Sequence, residues 1–176
     1  MASYPPEQWK AECEAYLTAA GPYQSRCRRY ELVERNLRDM GFQAGDLVVD
    51  VGAGMCDFAR YMYGAGYAFR YLPIDGSISG IDLDSDILVL CNAEWYVCIE
   101  TVEHMSNPYA LMQKMKNYAT KGVVVTTPNP AVTDVLALDE DHKVPVTYDE
   151  FVMMKFLPEA VSIHYQDDTL LATYQP

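Results

Sequence analysis

Three groups of residues in this sequence are of types, and at spacings, that could do chemistry. The first is the run Asp50-Val51-Gly52-Ala53-Gly54. Glycines between a buried strand and a helix permit a tight turn and let a ligand approach the backbone closely. The helix N-terminus beyond them stabilises negative charge, such as a carboxylate. The second is Asp75, 25 residues after Asp50. At the end of the next strand its carboxylate can accept hydrogen bonds from both hydroxyls of a ribose. The third is Glu100, Glu103 and His104. On a turn entering a helix these positions share one face, and two carboxylates with an imidazole could hold a hard divalent cation. Asp141-His142 offers a further ligand downstream. Without a cation, His104 could serve as a general base, or Glu103 and His104 could cap and order the loop.

The elements that must position these residues are legible in the hydrophobic pattern. Leu47 to Val51, Trp95 to Ile99 and Val123 to Val125 are short continuous apolar runs, the pattern of parallel strands covered on both faces by helices. Tyr71-Leu72-Pro73-Ile74 is a weaker strand whose proline places it at a strand end or an irregular stretch. Trp9, Cys13, Tyr16, Leu17 and Ala20 make one helical stripe, and Cys27, Tyr30, Val33, Leu37 and Met40 a second. Asp57 to Tyr63 opens a helix after the glycine turn. Asn107-Pro108 caps another, with Leu111, Met112, Met115 and Tyr118 on its buried face and Gly122 as its stop. Thr147 with Glu150 predicts a capping box on a helix running to Phe156. Val161, Ile163 and Tyr165 alternate, and Leu170 to Tyr174 is again β-prone, so a hairpin closes the sheet with an antiparallel strand.

Composition narrows the function classes. The chain has 176 residues, half of them hydrophobic, enough for one core. Its net charge of −12 argues against a free-standing nucleic-acid binder, whose sequence-independent affinity comes from Lys and Arg. The one basic cluster, Arg26, Arg28 and Arg29, reads as a solvated helix face. Cys13, Cys27, Cys56, Cys91 and Cys98 are an odd number without a C-x-x-C, which fits a reducing cytoplasm better than a disulfide framework. No apolar run is long enough to span a bilayer, and no signal peptide is read at the N-terminus. The nicotinamide fingerprint G-x-G-x-x-G would need glycine where Asp57 stands.

Taken together, these motifs resemble those of the class I S-adenosylmethionine-dependent methyltransferases. Asp50-Val51-Gly52-Ala53-Gly54 is similar to their motif I, and Asp75 to the acid ending their second strand. Asp82-Leu83 resembles the pair that contacts adenine. Glu100-Thr101-Val102-Glu103-His104 resembles their E-V-I-E-H segment, and Thr126-Thr127-Pro128-Asn129-Pro130 the T-P-N-P turn after a later strand. The resemblance covers roughly residues 30–176.

It implies an α/β, Rossmann-like three-layer sandwich: a mostly parallel seven-stranded sheet with the last strand antiparallel. Residues 1–41 would form a helical lid and 42–176 the cofactor-binding core, as one domain. The family pattern departs at Cys56, which stands for the third glycine of G-x-G-x-G, and between Asp75 and Asp82, where too few residues remain for the usual helix. The sheet is therefore open to trimming at that edge. The implied cofactor is S-adenosylmethionine, with Asp50, Gly52 and Gly54 at its methionine end, Asp75 at the ribose, Asp82 and Leu83 at the adenine, and Glu100 facing the reaction centre. His104 and His142 face the acceptor as candidate catalytic groups.

Small-RNA 2′-O-methyltransferases and ubiquinone-pathway O-methyltransferases use an E-x-x-E-H cluster for a metal. The resemblance thus extends to a Mg²⁺ or Mn²⁺ site of Glu100, Glu103, His104 and His142. Acceptors in keeping with the acidic charge are a small molecule or a sugar before a nucleic acid, with transfer to oxygen or nitrogen. A metal-assisted nucleic-acid 2′-O-methyltransferase, a non-catalytic S-adenosylmethionine-binding protein and a nicotinamide oxidoreductase are the alternatives.

Overall fold

A computed structural model describes residues 22–76, 80–85, 90–164 and 167–176, with the backbone alone described at 22–25, 162–164, 167 and 168. The first helical stripe, Trp9 to Ala20, and with it most of the expected lid, lies outside the described residues. The chain runs α1 (Pro22–Asp39), β1 (Leu47–Val51), α2 (Asp57–Gly64), β2 (Arg70–Ile74), β3 (Ala93–Ile99), a 3₁₀ turn (Val102–His104), α3 (Pro108–Tyr118), β4 (Ala119–Pro128), α4 (Val135–Leu138), α5 (Tyr148–Met153), β5 (Leu157–His164) and β6 (Asp167–Tyr174). None of the described helices is long and apolar enough to cross a membrane.

Among the described residues the sheet has six strands in the order β2-β1-β3-β4-β6-β5. β2, β1, β3 and β4 are parallel, and β6 runs antiparallel to both β4 and β5. The apolar runs at 47–51, 95–99 and 123–125 are therefore adjacent parallel strands, with the final strand reversed beside them. The count of six corrects the expected seven. Among the described residues between Asp75 and Ala93 no strand forms, so β2 is an edge. Pro73 sits there because an edge strand tolerates a missing N–H.

Alternation along each central strand divides the core into two layers. Val49, Tyr96, Cys98, Val123, Val125, Leu170 and Ala172 pack with Leu111, Met112 and Met115 of α3 and with Phe151 and Phe156. Val48, Trp95, Val97, Val124 and Leu171 pack on the other face against Leu32, Val33 and Leu37 of α1 and Phe58, Ala59 and Met62 of α2. Burial on both faces is why these strands read as continuous apolar runs.

Local signals account for most boundaries. Asn107 caps α3, its Oδ1 accepting from Ala110 N–H at 3.2 Å. Thr147 and Glu150 form the expected capping box. The expectation that Gly122 stops α3 is corrected: the helix ends at Tyr118 and Gly122 lies inside β4. A Cβ there would fall 2.7 Å from the Trp95 ring and 2.9 Å from the Tyr174 carbonyl, so close packing explains the glycine. At the opposite end of the strands from the glycine loop, Asp46 gathers Trp95 Nε1–H at 2.8 Å and Lys121 Nζ at 2.8 Å.

Candidate functional site

The C-terminal ends of β1, β2, β3 and β4 carry most of the residues picked out by their chemistry. After β1 the chain turns through Gly52, whose φ of +79° and position against Thr101 both exclude a side chain. A Cβ on Gly52 would lie 2.1 Å from Thr101 Oγ1. The turn is tied to the next strand by Gly52 N–H to Ile74 O at 2.8 Å. Asp75, immediately after β2, accepts Gly54 N–H at 2.9 Å. This bond from the end of β2 fixes the shape of the loop. Cys56 keeps the left-handed backbone of a glycine, φ +61°, at the N-cap of α2, at a cost of about 1–2 kcal/mol for a residue with a Cβ.

Asp50 lies beneath this loop and is buried, with Tyr71 Oη–H donating to its Oδ2 at 2.5 Å. Burial raises its carboxyl from 3.8 to about 7; the Tyr71 bond opposes the rise and the charge of Asp75 adds to it. Asp50 therefore supports the loop from below and does not line the open crevice.

That crevice, about 310 Å³, is walled by Gly52, Ala53, Gly54 and Met55 from the loop, Ile99 and Glu100 from the end of β3, and Arg26, Arg29, Tyr30 and Asp57. Arg26 and Arg29 come from α1 across the top. Arg29 corrects the reading of this cluster as a solvated face: its side chain is only 16% exposed, and Nη2 pairs with Glu100 Oε2 at 3.4 Å. Arg29 Nε is buried without a hydrogen-bond partner. Arg29 is the site residue that motif reading missed. The available signal was its place three residues after Arg26, beside the buried stripe of Cys27, Tyr30 and Val33, where a helix face turns from solvent towards the core.

Glu100 takes a φ of +49° at the strand end. Its N–H donates to Thr126 O at 3.0 Å, which turns the following residues into the 3₁₀ turn. There Glu103 is buried, 1% exposed, with Thr127 Oγ1–H donating to Oε2 at 3.1 Å. Burial and the neighbouring charge of Glu100 push its carboxyl from 4.5 up to about 8. The Glu103 carbonyl accepts Lys143 N–H at 2.7 Å and Val144 N–H at 3.2 Å. Those two bonds bring the loop after α4 back over the sheet and set His142 beside His104, ring centroids 4.6 Å apart.

Glu103, His104 and His142 each offer a ligand atom, and these lie within 4.8 Å of one another. Three of the four expected metal ligands are thus together, while the Glu100 carboxylate lies outside that cluster and faces Arg29. His142 Nδ1–H donates to Val135 O at 2.6 Å, and His104 Nδ1 lies 3.3 Å from Asp141 O. Carbonyls on both Nδ1 atoms place the free lone pairs on Nε2, the arrangement of histidines that bind metal. The donor set and its backbone support fit a divalent cation.

Asp82 is exposed, its Oδ1 accepting Asp84 N–H at 3.0 Å, and Leu83 packs on the core. Neither lines the crevice.

The sequence matches no family model. It matches none of the curated proteins either. Its structure resembles that of an S-adenosylmethionine-dependent methyltransferase from Aquifex aeolicus, with a TM-score of 0.56, 15% identity, and coverage of 97% of this chain and 99% of that one. Magnesium protoporphyrin IX methyltransferase from Synechocystis, solved with bound S-adenosylhomocysteine, aligns with a TM-score of 0.54, 11% identity, and 94% coverage of each chain. The [4+2]-cyclase SpnF aligns with a TM-score of 0.63, 10% identity, and coverage of 89% and 83%. The likeness to these structures shows that this chain has the class I S-adenosylmethionine-dependent methyltransferase fold.

Proposed function

We propose that this protein binds S-adenosylmethionine in the crevice above the glycine loop and transfers its methyl group to an oxygen or nitrogen of a small-molecule or sugar acceptor. The observation that carries the reading is the crevice itself. It joins a glycine backbone and a half-buried arginine at one strand-end cleft, with Asp75 bonded to Gly54 of the same loop but outside the cleft's lining. Gly52 and Gly54 give the methionine end room against the backbone, with Asp50 holding the loop from below. Arg29 is placed to receive the carboxylate, in exchange for or beside Glu100. Asp75 takes the ribose hydroxyls; Asp82 and Leu83, assigned to the adenine by resemblance alone, do not line the crevice. The bound sulfonium supplies a reactive methyl and a good leaving group, so the protein's work is alignment of the acceptor, worth several kcal/mol.

Glu100 faces the reaction centre. In the absence of an ion, either His104 or His142 could take the acceptor's proton. Glu103, His104 and His142 would hold a Mn²⁺ or Mg²⁺ ion, which supplies Lewis acidity and orientation; the two imidazoles favour Mn²⁺.

Calorimetry with S-adenosylmethionine tests the reading. Binding is expected, and Asp75→Ala should weaken it by about 1–3 kcal/mol, the range for hydrogen bonds to charged groups. No binding to the wild-type protein would overturn the assignment; unchanged affinity in the variant would remove Asp75 from the site. Methyl transfer that survives EDTA would remove the ion and leave the histidines as bases.

A further inference from the structure

Beyond the crevice and the histidine cluster, a larger cavity of about 480 Å³ opens on the same end of the sheet. Its lining comes from the segment between β4 and α4, with Pro145 opposite: Val132, Thr133, Asp134, Val135 and Leu136 are the residues that matter here. A volume of this size suits a drug-sized organic molecule. It neighbours the site, because Val135 is among its lining residues and the Val135 carbonyl accepts from His142 Nδ1 at 2.6 Å. A molecule seated there lies one residue's thickness from the imidazole pair.

The chemistry of the wall defines the class of ligand. Val132 and Leu136 are 62% and 52% exposed and both line the cavity. They present an apolar surface with water as its only cover among the described residues. Asp134 occupies the N-cap of α4 yet its carboxylate makes no capping bond, so the charge is available to the cavity. Asp139, Glu140 and Asp141 follow, all exposed. No Lys or Arg lines the cavity, and the nearest cation along the chain, Lys143, is paired with Asp84 at 2.9 Å. An anionic ligand, including the phosphates of a nucleic acid, meets uncompensated negative charge here. A cation with an apolar body meets complementary partners at both ends.

We propose that the acceptor is a small cationic amphiphile: an aromatic or alkyl body against Val132 and Leu136, a protonated amine at Asp134, and the reacting group directed past Val135 to His104 and His142. The proposal rests on the methyl-transfer reading and deepens it by naming the acceptor class.

The test compares two probes with the same ring system and opposite charge, tryptamine and indole-3-propionate, together with a short single-stranded RNA bearing a free 3′-terminal ribose. Binding is measured by calorimetry or NMR titration at fixed ionic strength, with S-adenosylhomocysteine present. Tryptamine is expected to bind at least about tenfold more tightly than indole-3-propionate, a difference of about 1.4 kcal/mol. Asp134→Asn should abolish that preference, and Leu136→Ala should weaken both indoles. Both positions are exposed, so an unchanged melting temperature confirms the fold of each variant. Equal or reversed preference, a preference that survives Asp134→Asn, or RNA binding more tightly than tryptamine would each overturn the proposal. Calorimetry with S-adenosylmethionine on the same proteins separates the readings. Retained cofactor binding with no tryptamine preference sinks the acceptor class alone, whereas loss of cofactor binding in the wild type sinks the function.

Discussion

Replacing Asp50 by asparagine should stabilise the protein at neutral pH and do so progressively less as the pH falls. Asp50 is fully enclosed beneath the glycine loop, with the Tyr71 hydroxyl as its hydrogen-bond donor. Burial lifts its carboxyl from 3.8 to about 7. Because the folded value is the higher one, the folded state holds a proton that the unfolded chain releases throughout that window. The associated stability is fully present below 3.8 and is lost as the pH rises through the window, with nothing further lost well above about 7. At about 1.4 kcal/mol per pH unit the whole effect is ~4 kcal/mol.

Asparagine keeps an oxygen for the Tyr71 hydroxyl and does not titrate. Whatever its amide costs in packing is the same at every pH. The stability difference between variant and wild type should therefore grow by ~2 kcal/mol from about pH 5.5 to about pH 7.5. That corresponds to a relative gain of ~4–8 °C in melting temperature for a domain of this size. Glu103 is also raised by burial, but it is common to both proteins and cancels. Urea unfolding at both pH values reads the difference directly. A difference that stays constant across that range would show that Asp50 titrates alike folded and unfolded, and the account of a buried, protonated support beneath the loop would fail.

Arg29→Ala should weaken S-adenosylmethionine binding about tenfold, the scale of one lost charged hydrogen bond, with Arg29→Lys in between; calorimetry that finds the three proteins alike would return Arg29 to a structural role. Gly52→Ala should destabilise the fold by more than ~2 kcal/mol, since a Cβ collides with Thr101 and the backbone is left-handed. Adding Thr101→Ser, which deletes the Cγ2 atom 2.3 Å from that Cβ, should recover only part of the loss, and full recovery would show that φ at Gly52 carries no strain. Gly122→Ala should cost ~1–3 kcal/mol by overpacking against Trp95, and pairing it with Trp95→Phe should lower that cost in a double-mutant cycle.

The sheet was legible because its central strands are buried on both faces, and a short continuous apolar run such as Trp95 to Ile99 can hardly be stable except as a covered strand. Asn107 and Thr147 fixed helix starts because capping is local chemistry, independent of the rest of the fold. Gly122 misled for the complementary reason: its meaning depends on a Trp95 ring that only strand pairing brings near. Glu103, His104 and His142 were found as a group because two of them are adjacent. The carbonyl of Glu103 holding the distant loop, which makes the third join them, has no signature in residue type. Arg29 was missed because a charged helix face looks the same whether it meets water or a crevice. The trimmed edge was visible in the short interval after Asp75, since chain length bounds what can be built.

The position of the last strand has a consequence for the order in which the molecule can assemble. β6 is made after β5 yet lies between it and β4, so β5 has no partner in the sheet until β6 arrives. Val123 to Pro128 must likewise wait for Thr169 to Tyr174. During synthesis the parallel half can form strand by strand, while β4 emerges with an apolar edge that stays open for some forty residues of further elongation. That interval, a few seconds on a ribosome adding about 5–20 residues each second, is when the nascent chain is most exposed to mispairing with another copy of itself.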